Sequence, residues 1–319
     1  MRILTWNVHA SYLWYLSHIP HEIFVPVRDG RPKGYAGRPA GYPWPRTVHE
    51  VPADEVADLG LDCLLFQSRR NWSEDQHAVL SPAQRRLPKI LVEHSPPPER
   101  PGEARHYLDD PDTLLVHVSH FNHLMWDSAR TPTRVIEHGV RIRGGVRWSG
   151  KLDWGLVVAH NLPQGGRRLG ADLLAAVRQQ VPIDLVGAGS EELGGLGQVP
   201  HDELLNFAAQ YRFLFSPARY VGLSLAVCEA MAMGMPVIGL ATSELATVVE
   251  NGVSGWVDTD LDRLIHRMSL LLDDPDEARR LGQGARRRAS VRFGIERFVR
   301  DWDAAFRSVT RRRSGAKGS

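Results

Sequence analysis

Short apolar runs alternate with amphipathic runs along the first 140 residues. The strand-like runs are nearly continuous in apolar residues, which is typical of a parallel sheet covered by helices on both faces. Helical patterns occupy residues 12–19, 72–87 and 120–129. The pattern predicts a doubly wound α/β domain over residues 1–140, with the strands RILTWNVH, EIFVPV, DCLLFQS, KILVEH, DTLLVHVS and RVIEHGV.

The same alternation restarts after a break. Residues 141–153 are polar, contain glycine and show no period, which predicts a linker. Residues 154–295 then form a second doubly wound domain, and a helix over 296–310 is expected to pack back toward the first domain. The basic residues 311–319 are expected to be a disordered tail. The expected fold is therefore α/β, with two Rossmann-like domains facing each other across a cleft and ligands outside the carboxyl ends of the strands.

The apolar stretch 220–241 contains one ionisable side chain, Glu229. A charge at the centre of a membrane-spanning helix costs about 2.5–3.5 kcal/mol, and Gly-Met-Pro at 234–236 interrupts the helical pattern. Ser224 is a good N-cap, so the sequence predicts a helix over 225–233 followed by a buried strand. A carboxylate on so apolar a helix needs a partner, either in a neighbouring loop or in a ligand.

Residues 159–174 place a glycine-containing turn between a strand and a helix, with Arg167 and Arg168 inside it. Glycine lets the backbone approach an anion, the start of a helix favours negative charge, and arginine binds phosphate oxygens in a fork. The turn matches neither the Walker pattern nor GxGxxG. It indicates either a phosphate site or two surface arginines beside a tight turn.

Two long loops follow strands of the first domain, on the side where ligands are expected. Residues 28–46 are rich in glycine, proline, arginine and aromatic residues, and residues 95–112 are proline-rich and charged. Long loops in this place usually bind or cover a ligand. The alternative is that both are solvated surface loops.

The composition is that of an ordinary globular protein, with 43% hydrophobic and 24% charged residues in 319. A formal net charge of +2 does not favour nucleic acid as a partner. Basic runs at 286–288 and 311–313 are interpreted as solvated faces, and a weak contact of the tail with anionic lipid stays open. Cys63 and Cys228 lie in apolar runs, and the chain starts directly as a strand. We therefore expect free thiols and a cytoplasmic protein, with peripheral contact at the inner membrane face left open.

Histidines recur at positions 117, 120 and 123. Their expected positions change from strand to loop to helix, and no carboxylate or cysteine cluster lies nearby, so a metal site is not predicted. His94 is different, because it ends a strand and faces the expected cleft. The sequence shows no nucleophile elbow, which would indicate a serine hydrolase. It also shows no spaced pair of carboxylates, which would indicate a glycosidase.

Residues 155 to about 300 resemble the retaining GT-B glycosyltransferases of family 4, the glycosyl transferases group 1. Four segments are similar, in order, to the diphosphate loop, the Gly-x-Gly turn, the base-side loop, and the E-x7-E segment with its NG-x-x-G turn. They are GLVVAHNLPQGGRRLGADLL, IDLVGAGSEEL, GQVPHDELLNFAAQYRFLFSPA and VGLSLAVCEAMAMGMPVIGLATSELATVVENGVSGWV. The resemblance implies the GT-B fold and transfer of a sugar from a nucleoside diphosphate donor with retention of configuration.

The resemblance also implies roles for single residues. Glu229, as the second Glu of E-x7-E, would accept hydrogen bonds from the ribose hydroxyls, as the acidic residue of dinucleotide folds does. Arg167 and Arg168 would stabilise the diphosphate, and His94 would contact the transferred sugar or the reacting centre. The other residues expected at the donor site are Asn161, Gly166, Gly187, Val199, Val221, Gly222, Leu223, Ser224 and Leu225. No metal and no cofactor are required besides the donor.

Two positions depart from the family pattern. Val221 stands where the first Glu usually contacts hydroxyls of the donor sugar, and Asn161 stands where arginine is common. The first departure indicates an unusual donor such as a deoxysugar, a contact supplied from elsewhere, or lost activity. The expected acceptor is a small molecule, a lipid-linked compound or a glycan. A non-catalytic sugar-nucleotide-binding or scaffold protein, and a GT-B epimerase of nucleotide sugars, are the alternatives.

Overall fold

The computed structural model describes residues 1–315. The chain forms two compact units. Unit 1 contains Met1–His138 and the residues from Ile295 onward, and unit 2 contains Gly139–Gly294. Each unit is built on a parallel sheet with helices, which confirms the predicted fold class. The boundary between the units lies two residues before the predicted end of the first domain at 140.

Unit 1 contains a seven-stranded sheet among the described residues, in the order β3-β2-β1-β4-β5-β6-β7 with every neighbouring pair parallel. The strands are β1 (Arg2–Thr5), β2 (Glu22–Val27), β3 (Val48–Pro52), β4 (Cys63–Phe66), β5 (Lys89–Glu93), β6 (Thr113–His117) and β7 (Thr133–Val135). The sequence did not predict β3, which lies at the edge of the sheet. Its residues VHEVP are too short and too polar for a strand signal.

Three short helices connect these strands, α1 (Ala10–Leu16), α2 (Gln76–Val79) and α3 (His120–Met125). The helix predicted over 72–87 is wrong as one element. A π-helical turn over Asn71–Asp75 precedes α2, and a separate 3-10 turn covers Gln84–Arg86. Pro82 accounts for the break, because proline lacks an N–H and disfavours helical backbone at the residue before it.

Unit 2 contains a five-stranded parallel sheet in its described residues, in the order β12-β11-β10-β8-β9. The strands are β8 (Leu152–Val158), β9 (Ile183–Val186), β10 (Tyr211–Ser216), β11 (Val237–Leu240) and β12 (Gly255–Asp258). The helices are α4 (Leu162–Leu169), α5 (Ala171–Val177), α6 (His201–Ala208), α7 (Leu225–Met233), α8 (Leu245–Val248), α9 (Leu261–Asp273) and α10 (Pro275–Arg292). Buried Val157, Phe213 and Leu264 belong to one core that joins the sheet to its helices.

The helix predicted over 225–233 is confirmed as α7. Ser224 caps it, because its Oγ accepts a hydrogen bond from the Ala226 N–H at 3.2 Å, and Gly234 follows at φ 94°. β11 follows it as the predicted buried strand. None of the helices within residues 1–315 is long and apolar enough to cross a bilayer.

The linker predicted over 141–153 is instead packed onto unit 2. The Trp148 indole Nε1 donates to the Tyr211 carbonyl at 2.7 Å, and the Ser149 N–H donates to the Ala209 carbonyl at 2.8 Å. The Trp148 ring packs against the core of the unit, and β8 already begins at Leu152. The segment lacks a period because one large aromatic side chain, rather than a repeating face, holds it.

The last described helix, α11 (Ile295–Gly315), belongs to unit 1. Phe298, Trp302 and Phe306 are fully buried at i, i+4 spacing, so they form one stripe on the helix. Burial of each such side chain contributes about 1.5–3 kcal/mol. The helix includes residues 311–315, which the sequence placed in a disordered tail; the remaining tail residues 316–319 lie outside the described part of the chain.

Candidate functional site

The first part of the candidate site is the turn between β8 and α4 in unit 2. Asn161 precedes the helix in the left-handed conformation, at φ 53° and ψ 37°. The helix is kinked at Gly166, where φ is 48° and ψ is −134°, values that only glycine adopts readily. The kink separates the first turn of α4 from Arg167 and Arg168, so these side chains do not continue the face of a regular helix.

A second turn, after β9, packs against the first. Gly187 has a φ of 137°, and a Cβ there would lie 2.1 Å from the carbonyl oxygen of Ala159, so no larger residue fits. The Asn161 N–H donates to the Ala188 carbonyl at 2.8 Å, and the Ala188 N–H donates to Nδ1 of His160 at 3.0 Å. The second bond requires the His160 tautomer with its proton on Nε2. His160 connects the two turns, and no motif in the sequence pointed to it.

Arg219 connects the kinked α4 to the loop before α7. Its guanidinium donates to both carboxylate oxygens of Asp172, at 2.6 and 2.8 Å, and to the Arg167 carbonyl at 2.6 Å. Its N–H donates to the Arg168 carbonyl at 2.9 Å. These hydrogen bonds from Arg219, with a smaller contribution from Arg167, hold the pKa of the Asp172 carboxyl below its usual value.

The exposed cations of this turn differ in their pairing. Arg167 is 79% exposed and forms a 2.9 Å ion pair with Asp172, a carboxylate already shared with Arg219. Arg168 is exposed, and its guanidinium has no ion-pair partner within residues 1–315. The turn therefore carries more positive charge than Asp172 neutralises. The sequence could not indicate Arg219, because its partners lie about fifty positions away.

The loop from 217 to 224 is held from its other side by the turn after β11. The Thr242 hydroxyl donates to the Ala218 carbonyl at 3.2 Å, and the Val221 N–H donates to Ser243 Oγ at 3.4 Å. Ser243 has a φ of 51°, an uncommon value for a residue with a Cβ. The loop that leads into α7 is thus tied to α4 by Arg219 and to β11 by two hydroxyl groups.

Glu229 lies on α7, one turn after Leu225, and is 5% exposed. At the start of this nine-residue helix, the N–H groups of Ser224 and Leu225 have no partner within the helix. Leu223 precedes the cap and is buried. Gly222 and Val221 come just before it and are half-buried. The Arg219 contacts therefore join the turn that carries Arg167 and Arg168 to the loop that leads into α7.

Val199 and His94 lie elsewhere. Val199 is half-buried in the loop before α6 and has no hydrogen bond to the other predicted donor residues among those described. His94 belongs to unit 1, where it directly follows β5.

His94 lies in a cluster of rings in unit 1. Its ring centroid is 4.5 Å from that of His9 and 4.7 Å from that of Tyr12, both edge-to-face. Its Nε2 is buried and has no hydrogen-bond partner in the described part of the chain. Burial, then the proximity of His9 and His138, lowers the pKa of His94 well below its ordinary value, so the ring is neutral near pH 7. His9 was not singled out in the sequence.

The three histidines at i, i+3, i+6 are spread over two elements. His117 ends β6 and is fully buried, while His120 and His123 lie on α3. Burial lowers the pKa of His117 to about 3. Within residues 1–315, no three His, Cys, Asp or Glu side chains are grouped so that they could hold a metal ion.

Part of the second unit is similar to known proteins. Residues 189–288 match the model of the family Glycosyl transferases group 1. The MMP alpha-(1->4)-mannosyltransferase of Mycolicibacterium hassiacum is 38% identical over 91 residues, which are 28% of this chain and 22% of that protein. The D-inositol 3-phosphate glycosyltransferase 1 of Catenulispora acidiphila is 33% identical over 112 residues, which are 34% of this chain and 27% of that protein. These matches span about a quarter of the relatives' length.

Solved structures match nearly the whole chain. HepE from Anabaena, solved with UDP and glucose, has a TM-score of 0.68 at 16% identity, over 97% of this chain and 100% of that one. The sucrose-phosphate synthase of Thermosynechococcus elongatus has a TM-score of 0.67 at 16% identity, over 97% and 99%. At this identity the similarity shows the fold alone. The chain therefore has the GT-B fold of these glycosyltransferases, and within unit 2 residues 189–288 match the glycosyl transferases group 1 model.

Proposed function

We propose that the protein is a glycosyltransferase that moves a sugar from a nucleoside diphosphate donor to an acceptor with retention of configuration. The observation that carries the proposal is the set of Arg219 hydrogen bonds, which join the cationic turn of α4 to the loop that leads into α7. Similar structures with bound UDP or UDP-glucose, and the family match in unit 2, support it.

The diphosphate would bind where the charge is unpaired. Arg168, with no ion-pair partner in the described chain, and Arg167 offer guanidinium groups that suit phosphate oxygens. The N–H groups of Ser224 and Leu225 at the start of α7 add donors at the positive end of the helix dipole, and Leu223 lies next to them. Phosphate oxygens accept from both kinds of donor, so one anion would engage both elements.

The nucleoside would bind toward Glu229. An ionised carboxylate only accepts hydrogen bonds, and its two oxygens suit a pair of vicinal hydroxyl groups such as those of ribose. Asn161, Gly166, Gly187 and Gly222 would let the backbone approach the nucleotide closely, and Val199 would contact the base. The donor sugar would lie near Val221, whose side chain cannot accept a hydrogen bond. This favours a donor with fewer hydroxyl groups, such as a deoxysugar.

In the proposed reaction, the acceptor oxygen forms a bond to the anomeric carbon while the bond from that carbon to the diphosphate breaks. The acceptor proton passes to the departing diphosphate oxygen on the same face of the sugar. Arg167, Arg168 and the start of α7 would stabilise the charge that develops on the diphosphate, so no metal is required. His94, neutral and with Nε2 unpaired among the described residues, would hydrogen-bond the transferred sugar. The acceptor is a small molecule, a lipid-linked compound or a glycan, and not a nucleic acid.

A second candidate is a non-catalytic protein that binds sugar nucleotides. Val221 favours it, because an apolar side chain stands where the family usually contacts the donor sugar. Under this alternative the protein binds a nucleotide but releases no diphosphate from any nucleotide sugar. Binding and turnover measured on the same preparation distinguish the two functions.

Calorimetric titration with UDP, GDP, dTDP and ADP tests the nucleotide site. We expect one nucleotide to bind, and Glu229→Ala to weaken it by about 1.5–3 kcal/mol, because a charge-assisted hydrogen bond is lost. Glu203→Ala removes an exposed glutamate of the same unit and serves as the matched control.

Glu229→Gln keeps the side-chain volume. If Glu229→Ala unfolds at a lower temperature than wild type, the glutamine variant shows whether the lost affinity comes from the missing charge or from unfolding. Unchanged affinity in a folded Glu229→Gln protein contradicts the ribose assignment. No binding of any of the four nucleotides contradicts the proposed function itself.

A further inference from the structure

Unit 1 contains an open cavity of about 680 Å³ at the carboxyl ends of β2 and β3. Val27 and Pro52, the last residues of these two strands, line it. Ligands of open α/β sheets bind outside the carboxyl ends of the strands, and small-molecule sites have volumes of roughly 300–1,000 Å³. The cavity is separate from the rings around His94 and contains none of the residues predicted for the donor site.

The loop after β2 forms a fixed wall of this cavity. An antiparallel bridge joins Val27 to Ala36 and closes the loop at its base. The Tyr35 side chain is buried, and its hydroxyl donates to Asp75 at 3.0 Å. The Asn7 side-chain amide donates to the Gly37 carbonyl at 2.8 Å. A loop tied down at three places loses little entropy when a ligand binds against it.

Arg31 belongs to the wall through a two-pronged ion pair with Glu50, at 2.8 and 3.1 Å. Its Nη1 also donates to the Ala36 carbonyl at 2.9 Å, and the Arg38 N–H donates to Glu50 at 2.6 Å. The hydrogen bond from Arg31 and then that from the Arg38 N–H lower the pKa of Glu50. The charge of Arg31 is thus neutralised, and this side chain adds structure rather than net charge to the cavity.

Three polar side chains remain for a ligand. The Arg28 guanidinium lies 4.0 Å from the centre of the Tyr35 ring, which orients it. Asp29 and Asp54 are exposed carboxylates, and neither has a hydrogen-bond or ion-pair partner within residues 1–315. Apart from the paired Arg31, the remaining lining has no charged side chain, and it includes Ala53, which follows β3, and Ala78, which lies on α2. The cavity therefore offers two strong acceptors and one cationic donor above an apolar surface.

We propose that this cavity binds a neutral carbohydrate, which on the proposed function is part of the acceptor. Two unpaired carboxylates against one unpaired guanidinium disfavour an anion. A sugar ring supplies several hydroxyl donors for Asp29 and Asp54, a hydroxyl acceptor for Arg28, and a C–H face for the apolar lining. The inference narrows the acceptor to a glycan or a glycan-bearing compound.

The test uses saturation-transfer NMR on the full chain with neutral trisaccharides of glucose, galactose, mannose and N-acetylglucosamine. At least one trisaccharide is expected to bind. Ala78→Trp, at an exposed helix position that lines the cavity, should reduce the binding at least tenfold by filling the space. His77→Trp is the matched control, because the adjacent exposed residue does not line the cavity.

The charge pattern is tested in the same way. Asp29→Asn combined with Asp54→Asn should weaken the trisaccharide about tenfold or more, while Glu55→Gln, at an exposed neighbour outside the cavity, should not. Lack of signal from all the trisaccharides, or equal binding by Ala78→Trp and wild type, overturns the proposal. Nucleotide calorimetry on the same protein separates the two ideas. Nucleotide binding without trisaccharide binding removes only the cavity assignment, and the reverse result removes the proposed function and leaves the cavity a carbohydrate site.

Discussion

The cationic turn of unit 2 and the ring cluster of unit 1 offer different chemical groups to a ligand. In unit 2, Arg167 and Arg168 are exposed, and Arg219 joins their turn to the loop before α7. In unit 1, His94 is neutral, packed between His9 and Tyr12, and offers one unpaired nitrogen within the described chain. Exposed guanidinium groups suit an anionic ligand, whereas a neutral, unpaired ring nitrogen suits a hydroxyl group. Salt and pH should therefore act on the two sites separately.

The largest effect is expected from removing both arginines. Arg167→Ala combined with Arg168→Ala should lower the rate of nucleoside diphosphate release about 10²–10³-fold, because charge on the leaving group is no longer stabilised. Nucleotide affinity should also become less sensitive to salt. The rate is measured with the donor that calorimetry identifies.

Arg287→Ala, at an exposed position of α10 in the same unit, is the control for net charge. A double variant with the wild-type rate would show that the diphosphate binds elsewhere. The cationic turn of unit 2 would then not be a site for a charged ligand.

A smaller effect is expected from His94→Gln. Loss of one hydrogen bond to the transferred sugar should lower turnover about 10–100-fold, and nucleotide affinity should stay the same. Because the pKa of His94 lies well below its ordinary value, its protonation should not affect turnover between about pH 6 and 8. Nucleotide affinity that falls together with turnover would contradict this assignment.

The same histidine predicts a pH dependence of stability. Its folded-state pKa is lowered, so below about pH 6.5 the unfolded chain binds a proton that the folded chain does not. The stabilisation is present at neutral pH and is lost as pH falls, at up to about 1.4 kcal/mol per pH unit for this group. Denaturant unfolding from pH 7 to 5 should show a smaller loss for His94→Gln than for wild type, and parallel curves would refute the linkage.

The smallest effect is expected at Arg219, which positions the other arginines without being proposed to contact the donor. Arg219→Ala should weaken nucleotide binding by about 1 kcal/mol, roughly fivefold, because α4 and the loop before α7 are no longer joined. Arg219→Lys should recover only part of this loss, since an ammonium group cannot form the fork with Asp172. If Arg219→Ala binds as wild type does, the joint is not needed to assemble the site.

Several parts of this structure were predictable because they depend on near neighbours. The helix over 225–233 follows from Ser224, from the helix-forming residues after it and from Gly234, all within a dozen positions. Continuous apolar strands separated by helical patterns likewise indicate a parallel α/β fold. Glu229 stood out for a similar reason, since a lone carboxylate in an apolar run is visible without knowing its surroundings.

Other parts were hidden because their cause lies far along the chain. β3 is a strand because β2 offers it a parallel edge, and residues 141–153 pack on unit 2 because Trp148 meets Tyr211. The π-helical turn at Asn71–Asp75 was also not predicted, although it involves only near neighbours. Pro82 prevents the helix that follows it from continuing. None of these features has a periodic signal of its own.

The sequence by itself determined the class of the fold, the caps and span of α7, and the residue types that could meet a diphosphate. Only the tertiary structure decided that Arg219 and Asp172 join the turn of α4 to the loop before α7, that His9 packs on His94, and that a cavity with two free carboxylates opens beside β2 and β3. Periodicity and capping are set by residues within a few turns, whereas these contacts join positions that the folded sheets alone bring within hydrogen-bonding or packing distance.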